Sequence, residues 1–169
     1  MGKAYKIVVT GPFNAGKSEF IRTGSDIPVV STERRITDDL GDVKDTTTVA
    51  MDYGQVTIDG HLLHLYGTPG QERFDFMWDI LSQEMNGLLV LVDSSDRPSL
   101  TPARRMLRRF RRISRAPTLV VATKQDERRA LPVGEVADAL GVEGPVVACD
   151  PRQRASVHEV LQRLLIALK

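Results

Sequence analysis

Residues 11–18 contain two glycines separated by four residues, and the second glycine is followed directly by lysine and serine, in the sequence GPFNAGKS. The segment stands between a short apolar run, Tyr5 to Thr10, and a stretch typical of the start of a helix, Gly16 to Arg22. A glycine-rich turn between a strand and a helix directs successive backbone N–H groups at an anion. The segment therefore predicts a nucleoside triphosphate site in an α/β fold.

The chemistry of this segment is carried by a small set of residues. The Lys17 ammonium can reach the β- and γ-phosphates, and the Ser18 hydroxyl can bind Mg²⁺. The residues predicted to contact the nucleotide here are Gly11, Asn14, Ala15, Gly16, Lys17, Ser18 and Glu19.

Apolar strand-like runs alternate with amphipathic helical stretches along the rest of the chain. Asp59-Gly60 joins the runs Val49 to Ile58 and Leu62 to Tyr66, and this pair favours a type I′ hairpin. Ser156 and Glu159 are spaced as a capping box at the start of the last helix. Further strands are predicted at 87–92, 119–122 and 145–148, and helices at 100–112, 133–140 and 156–168. This order predicts an α/β fold with a mainly parallel six-stranded sheet, one antiparallel edge strand, and helices on both faces.

Composition sets limits on the function of the chain. Its 169 residues are 41% hydrophobic and 27% charged, which fits one globular domain spanning residues 1–169. The net charge of +1 gives no reason to expect nucleic-acid binding. The single cysteine, Cys149, fits the reducing cytoplasm. The polar stretch 23–47 has no clear period and is too long for an ordinary loop, so we expect it to be functional or mobile.

Four further segments occur in a fixed order after the phosphate-binding segment. They are TTTVAMDY at 46–53, GTPGQERF at 67–74, TKQD at 123–126 and ACD at 148–150. In this order and spacing the chain resembles the Ras-like small GTPases over essentially its whole length. It is most similar to the bacterial branch that is paired with roadblock-domain proteins. The resemblance implies the P-loop NTPase fold with GTP and GDP as substrate and product.

The resemblance assigns roles to the two switch segments. Thr48 corresponds to the switch I threonine that binds Mg²⁺ and senses the γ-phosphate, although the adjacent Thr46 or Thr47 could take that place. Gly70 corresponds to the switch II glycine whose N–H contacts the γ-phosphate. Gln71 corresponds to the catalytic residue that orients the attacking water.

Base recognition is assigned in the same way. Asp126 corresponds to the carboxylate that accepts hydrogen bonds from guanine N1 and N2. Adenine lacks this donor pair, so a buried Asp126 would be left unpaired and ATP is disfavoured. Lys124 would cover the base and brace the P-loop. The segment Ala148, Cys149 and Asp150 lies where a backbone N–H reads the guanine O6 atom.

Two departures from the family pattern concern the metal and the base. Gly67 replaces the aspartate of the DxxG motif, so either Mg²⁺ binds more weakly or another acid, Asp93 or Asp52, compensates. Thr123 replaces the asparagine of the NKxD motif and retains one side-chain oxygen.

A third departure concerns hydrolysis. Phe13 stands where the best-known members have glycine, and its ring would point at the γ-phosphate and at Gln71. Alternatively, it folds back onto apolar neighbours such as Trp78. The resemblance implies a switch that binds Mg²⁺·GTP, hydrolyses it slowly, and acts on regulatory protein partners, among them a roadblock-domain protein. Membrane contact is not expected without a partner. The alternative is a non-hydrolysing adaptor, which Phe13 and Gly67 favour and Gln71 opposes.

One predicted helix is unusually basic. Its apolar stripe is Leu100, Ala103, Leu107 and Phe110. Its arginines are Arg104, Arg105, Arg108, Arg109, Arg111, Arg112 and Arg115. They form either a solvated helix face or a docking face for an acidic partner or for lipid headgroups.

Overall fold

A seven-stranded sheet forms the centre of the molecule in the computed structural model. The structure describes residues 2–40, 43–69 and 75–169. At 32–40, 43–50 and 75 it describes the backbone alone. The strands are β1 (Ala4–Thr10), β2 (Val30–Leu40), β3 (Val43–Ile58), β4 (His61–Gly67), β5 (Gly87–Asp93), β6 (Thr118–Thr123) and β7 (Val146–Ala148). The helices are α1 (Lys17–Gly24), α2 (Asp75–Leu81), α3 (Leu100–Ile113), α4 (Val133–Leu140) and α5 (Arg154–Leu168).

The strand order is β2-β3-β4-β1-β5-β6-β7. All described neighbours from β4 to β7 are parallel, whereas β3 is antiparallel to both β2 and β4. The predicted mainly parallel α/β sheet is therefore confirmed. The sheet has seven strands where six were predicted, and the added strand β2 occupies the edge beyond the antiparallel strand β3.

The seventh strand, β2, comes from the stretch 23–47 for which the sequence predicted no regular structure. Val30 to Leu40 pairs in antiparallel register with Val43 to Tyr53, so β3 begins six residues earlier than expected. An edge strand is stabilised by backbone hydrogen bonds to one neighbour and needs no buried apolar face. Polar residues such as those at 31–39 therefore form a strand without the alternating pattern that would predict it.

Apolar side chains from the two faces of the sheet form two separate cores. On β1, Ile7 and Val9 point to one face and Val8 to the other. The first core includes Phe20 from α1 and Leu161 from α5. The second is formed with residues of α2, α3 and α4. The prediction of helices on both faces is confirmed.

Two local predictions have different outcomes. Asp59 and Gly60 both have positive φ, 49° and 80°, as the I′ turn requires, and Ile58 pairs with His61 across the turn. The capping box is wrong, because α5 begins at Arg154 and Ser156 lies within its first turn. The Ser156 hydroxyl accepts a hydrogen bond from the Asp150 N–H at 2.9 Å and is used there to anchor the preceding loop.

The basic helix α3 buries the expected apolar stripe together with Met106. Its arginines lie on the opposite side, and Arg109 forms an ion pair with Asp79 on α2 at 2.9 Å. In the described part of the chain, no helix is long and apolar enough to cross a bilayer.

Candidate functional site

Loops that follow the parallel strands meet at one edge of the sheet. The segment 11–18 follows β1, Thr68 follows β4, Lys124 follows β6 and Cys149 follows β7. This edge, outside the carboxyl ends of the strands, is where open α/β sheets bind ligands. The motifs that the sequence spreads over more than 130 residues therefore come together here.

The phosphate-binding turn has the backbone that its glycines allow. Gly11 has φ +149°, and a Cβ at this position would lie 2.2 Å from the Leu91 carbonyl oxygen, so only glycine fits. Asn14 adopts a left-handed φ of 66°, which asparagine tolerates better than most residues. The turn ends at Gly16, directly before the first residue of α1.

The Lys17 ammonium folds back over this turn. It donates to the Gly11 carbonyl at 2.5 Å and to the Pro12 carbonyl at 3.0 Å. Desolvation by burial lowers the pKa of Lys17 to about 8, and the charge of Asp52 opposes that shift. The ammonium is thus held next to an open cavity in which an anion would replace the two carbonyl contacts and favour its charged form.

This phosphate cavity has a volume of about 520 Å³. It is lined by Phe13, Asn14, Ala15, Gly16, Lys17, Ser18, Glu19, Arg22, Asp52, Gly67, Thr68, Pro69 and Lys124. Every one of the predicted P-loop contacts except Gly11 faces it, and Gly11 forms the backbone behind it.

An acid from β3 faces the serine of the P-loop. The Ser18 hydroxyl donates to Asp52 Oδ2 at 2.6 Å, and the Ser31 hydroxyl donates to Asp52 Oδ1 at 2.9 Å. A Cβ on Gly67 would lie 2.9 Å from Ile21 Cδ1 and 3.6 Å from the Asp52 Cβ. Asp52 therefore stands beside the position from which the DxxG aspartate is missing.

Asp93, the other acid considered for this role, is engaged elsewhere. It accepts from the Lys124 ammonium at 2.9 Å and from the Ser95 hydroxyl at 2.6 Å. The hydroxyl of Ser18 and the carboxylate of Asp52 fit Mg²⁺, which binds through one or two protein oxygens with phosphate and water completing its shell. No group of three or more His, Cys, Asp or Glu side chains that could hold a metal occurs among the described residues.

A second cavity, of about 370 Å³, adjoins the first and lies where the base is expected. Its walls are Ala15, Gly16, Glu19, Thr123, Lys124, Asp126, Glu127, Asp150, Pro151 and Arg152. The expectation of a buried Asp126 is wrong, because its side chain is 60% exposed and accepts a hydrogen bond from Arg152. Arg152 was not identified from the sequence.

Thr123 connects this loop to the P-loop. Its hydroxyl is buried and lies 2.8 Å from the Ala15 carbonyl oxygen and 3.1 Å from that of Val92. The Lys124 ammonium, which the sequence analysis placed as the P-loop brace, pairs instead with Asp93. In the described residues the bracing contact is thus made by Thr123, the residue that replaces asparagine in the NKxD motif.

Comparison with known proteins places the chain in a family. The family model for the ADP-ribosylation factor (Arf) family matches residues 1–165. The chain belongs to the Arf family. Arf-family proteins are GTP-binding switches of the Ras-like superfamily, so the predicted superfamily is confirmed, and GTP, GDP and Mg²⁺ are the ligands of that family in general. The narrower bacterial branch paired with roadblock-domain proteins stays a prediction.

Individual relatives match over part of their length. The chain is 34% identical over 91 residues to an uncharacterized protein, MJ1339, of Methanocaldococcus jannaschii, covering 53% of this chain and 51% of the relative. It is 26% identical over 139 residues to human ADP-ribosylation factor-related protein 1, covering 80% of this chain and 67% of the relative. It is 32% identical over 89 residues to human ADP-ribosylation factor-like protein 4C, covering 51% of this chain and 46% of the relative. The chain thus matches about half to two thirds of these relatives' lengths.

In this Arf-family chain, the loop after β7 uses its backbone N–H groups internally. The Cys149 N–H donates to the Ala122 carbonyl at 3.0 Å, and the Asp150 N–H donates to Ser156. Cys149 is buried, and desolvation raises the pKa of its thiol. Recognition of the guanine O6 atom by a backbone N–H of this loop remains a prediction. It requires that N–H to give up its present acceptor within the protein and to donate to O6 instead.

Phe13 lies at the rim of the phosphate cavity with 68% of its surface exposed. Trp78, onto which it was considered to fold, is buried and stacks on Phe110 with 5.8 Å between ring centroids. The Trp78 indole donates to the Pro69 carbonyl at 3.1 Å. In this Arf-family chain Phe13 therefore does not fold back onto Trp78, and its ring stays at the rim of the phosphate cavity.

Two predicted residues, Gly70 and Gln71, lie outside the described residues. Thr48 lies on β3 opposite Arg35, and its side chain is outside the described part. Their roles at the γ-phosphate, and that of Gln71 in hydrolysis, stay predictions.

Proposed function

We propose that this Arf-family chain is a molecular switch that binds Mg²⁺·GTP, hydrolyses it slowly to GDP, and acts on protein partners. The observation that carries the proposal is the continuity of the two cavities. Ala15, Gly16, Glu19 and Lys124 line both, so one ligand with a polyphosphate at one end and a base at the other fits across them.

The base end favours guanine. Asp126 presents a carboxylate, which only accepts hydrogen bonds when ionised, at the wall of the base cavity. Guanine offers the N1 and N2 donors to such a group, and adenine does not. An Asp126 facing adenine would gain no donor from the base and would keep only Arg152 and solvent as partners, so the guanine complex is favoured by the hydrogen bonds that adenine does not make.

The phosphate end combines Lys17 with the pair Ser18 and Asp52. The Lys17 ammonium is a charge-assisted donor for phosphate oxygens. Ser18 and Asp52 are the described residues that would hold Mg²⁺, and a bound Mg²⁺ neutralises charge on the phosphates. The 2.6 Å hydrogen bond between them keeps both oxygens at the cavity before any ligand arrives.

Slow hydrolysis is proposed from the position of Phe13. The ring is exposed at the rim of the phosphate cavity, and the resemblance implies that a side chain at this position points at the γ-phosphate and at Gln71. If hydrolysis is absent, the chain is the nucleotide-binding adaptor considered above.

Protein partners are proposed on the side of α2. Phe76 and Ile80 there are 41% and 48% exposed, directly after switch II. Exposed aromatic and aliphatic side chains of this kind provide binding energy in protein interfaces. A roadblock-domain protein in the cytoplasm remains the proposed partner, on the resemblance of the switch segments alone.

The proposal is tested by titrating GDP, GTP and ATP into the nucleotide-free protein with Mg²⁺ and with EDTA. We expect GDP and GTP to bind, ATP to bind at least about a hundredfold more weakly, and Mg²⁺ to strengthen binding. Asp126→Asn should shift preference to xanthine nucleotides, while Asp138→Asn, at an exposed position on α4, serves as the control. Equal affinity for ATP and GTP would refute guanine recognition.

A single-turnover assay separates the two functions. Bound GTP that converts to GDP over minutes to hours supports the slow GTPase. GTP that remains intact over days, in protein that binds it tightly, identifies the adaptor.

A further inference from the structure

Arg152 connects the two loops that form the base cavity. Its backbone N–H donates to Asp150 Oδ1 at 3.0 Å, its Nε to Oδ1 at 2.9 Å and its Nη2 to Oδ2 at 3.1 Å. The same Nη2 donates to Asp126 Oδ2 at 3.1 Å. One guanidinium thus spans a carboxylate on the loop after β7 and a carboxylate on the loop after β6.

The Asp150 end of this bridge is the anchored one. The Asp150 N–H is held by the Ser156 hydroxyl of α5, and the Asp150 side chain is 33% exposed against 60% for Asp126. Hydrogen bonding from Arg152 lowers the pKa of Asp150 and keeps its carboxylate ionised. Arg152, whose side chain is 63% exposed, thus makes three of its hydrogen bonds to the anchored Asp150 and one to Asp126, so Asp126 is the group that it positions.

Asp126 needs such a constraint. An exposed carboxylate rotates freely. It accepts hydrogen bonds from two adjacent donors only when each of its oxygens points at one of them. Each oxygen has two lone pairs, so Oδ2 can accept from Arg152 and from a ligand at the same time. Without Arg152, Asp126 and Asp150 would also face each other as like charges, which favours their separation.

We propose that Arg152 is a positioning residue for base recognition, which holds the Asp126 carboxylate in the orientation that accepts from both N1–H and N2–H of guanine. The inference rests on the proposed function, since it concerns the same base cavity. An arginine suits the role because its rigid fork binds Asp150 at two points and still extends a donor to Asp126.

The test compares the dissociation constants of GDP and inosine diphosphate, which differ only in the 2-amino group. For Arg152→Ala we expect GDP to bind about 1.5- to 5-fold more weakly, as for loss of one exposed charged pair, and inosine diphosphate to be affected less. The ratio of the two constants therefore falls towards one. Arg152→Lys, which keeps the charge and loses the fork, should give an intermediate ratio.

The matched control is Arg163→Ala. Arg163 pairs with Glu159 on the surface of α5 at 3.1 Å with similar exposure, away from the base cavity. Its removal should leave both constants unchanged. In an Asp126→Ala background, Arg152→Ala should have no further effect on the ratio, because the group it positions is gone.

Three results would overturn the inference. Tighter GDP binding by Arg152→Ala would show that Arg152 competes with the base. An unchanged ratio, or an effect that persists without Asp126, would show that Arg152 does not act through Asp126. A wild-type protein that does not prefer GDP over inosine diphosphate would overturn this inference, because the 2-amino group would then not be recognised. The proposed function fails separately, if GTP and ATP bind equally well.

Discussion

The Asp52 carboxylate accepts a hydrogen bond from the Ser18 hydroxyl at 2.6 Å, although 34 residues separate the two in the chain. The antiparallel pairing of β3 with β4 brings Asp52 opposite the first turn of α1. Gly67 has no side chain, so Ile21 and Asp52 approach the place that the side chain of the missing aspartate would take. The acid that the DxxG motif lacks is thus supplied by a neighbouring strand.

Asp52→Ala should reduce the effect of Mg²⁺ on nucleotide binding. Removing a carboxylate next to a metal-binding oxygen typically costs about 10- to 100-fold in metal affinity. The measurement is the GDP dissociation rate over a series of Mg²⁺ concentrations. Asp138→Ala should behave as wild type, and an unchanged Mg²⁺ midpoint for Asp52→Ala would exclude Asp52 from the metal site.

Gly67→Asp, which restores the family's residue, should destabilise the protein. The new Cβ would lie 2.9 Å from Ile21 Cδ1, and the new carboxylate would approach Asp52. Overpacking of this kind costs about 1–3 kcal/mol, which urea unfolding measures. Gly134→Asp is the control, because no atom lies within 4 Å of a Cβ there. Equal stability of the two variants would contradict the steric argument.

The affinity for GDP should fall as the pH rises above about 8. Burial lowers the pKa of Lys17 to about 8 in the free protein. Phosphate favours the charged ammonium, so binding above this pH must take up a proton and weakens by up to tenfold per pH unit. Below pH 8 this dependence should vanish. Lys17→Met, which retains every other titratable group, should bind GDP weakly, and its affinity should change less with pH than that of wild type. If the affinities of the two proteins fall in parallel above pH 8, Lys17 is not the cause.

The same shift affects stability with the opposite sign. The unfolded chain, with a Lys17 pKa near 10.5, binds more protons than the ligand-free folded protein between pH 8 and 10.5. The free energy of unfolding of wild type relative to Lys17→Met should therefore rise with pH in this window.

Thr123→Val should lower the free energy of unfolding by about 1–3 kcal/mol, because it leaves the buried Ala15 and Val92 carbonyls without their hydroxyl donor. Valine has nearly the same shape, so packing is preserved. Thr57→Val, at an exposed position on β3, is the control and should change little. Denaturant unfolding checks both, and a silent Thr123→Val would show that the hydroxyl does not brace the P-loop.

Phe13→Gly should speed GTP hydrolysis about tenfold, equivalent to about 1.4 kcal/mol in activation free energy, if the exposed ring obstructs the γ-phosphate. Gln71→Leu should slow whatever rate remains. Single-turnover hydrolysis measures both. A Phe13→Gly rate equal to wild type would disprove obstruction, and a silent Gln71→Leu as well would favour the adaptor.

The phosphate-binding turn was predictable because its information is local. The spacing of Gly11, Gly16 and Lys17 fixes the backbone and the ligand chemistry within eight residues. Strands that are buried on both faces, such as β5, were predictable from continuous apolar runs. The edge strand β2 was not, because its pairing depends on backbone hydrogen bonds that polar residues make equally well.

Contacts between segments that are distant in the sequence were also not predictable. Asp52 was one of two candidate acids, and only the register of β3 on β4 selects it over Asp93. Arg152 carries no motif, and its role depends on two carboxylates that the fold brings within reach of it. Ser156 matched a capping pattern, yet its hydroxyl accepts a hydrogen bond from the Asp150 N–H in the loop after β7.

The many arginines of α3 make the charge distribution of the molecule uneven. The chain as a whole carries a net charge of +1, and seven positive charges lie on or next to one helix, so the remainder is net negative. A protein with its charge distributed in this way can present a local positive field despite its near-neutral total. It will turn in the field of any charged body before touching it, and this orientation fades as salt shortens the reach of the field. Encounter rates should therefore depend on ionic strength far more than a net charge of +1 suggests.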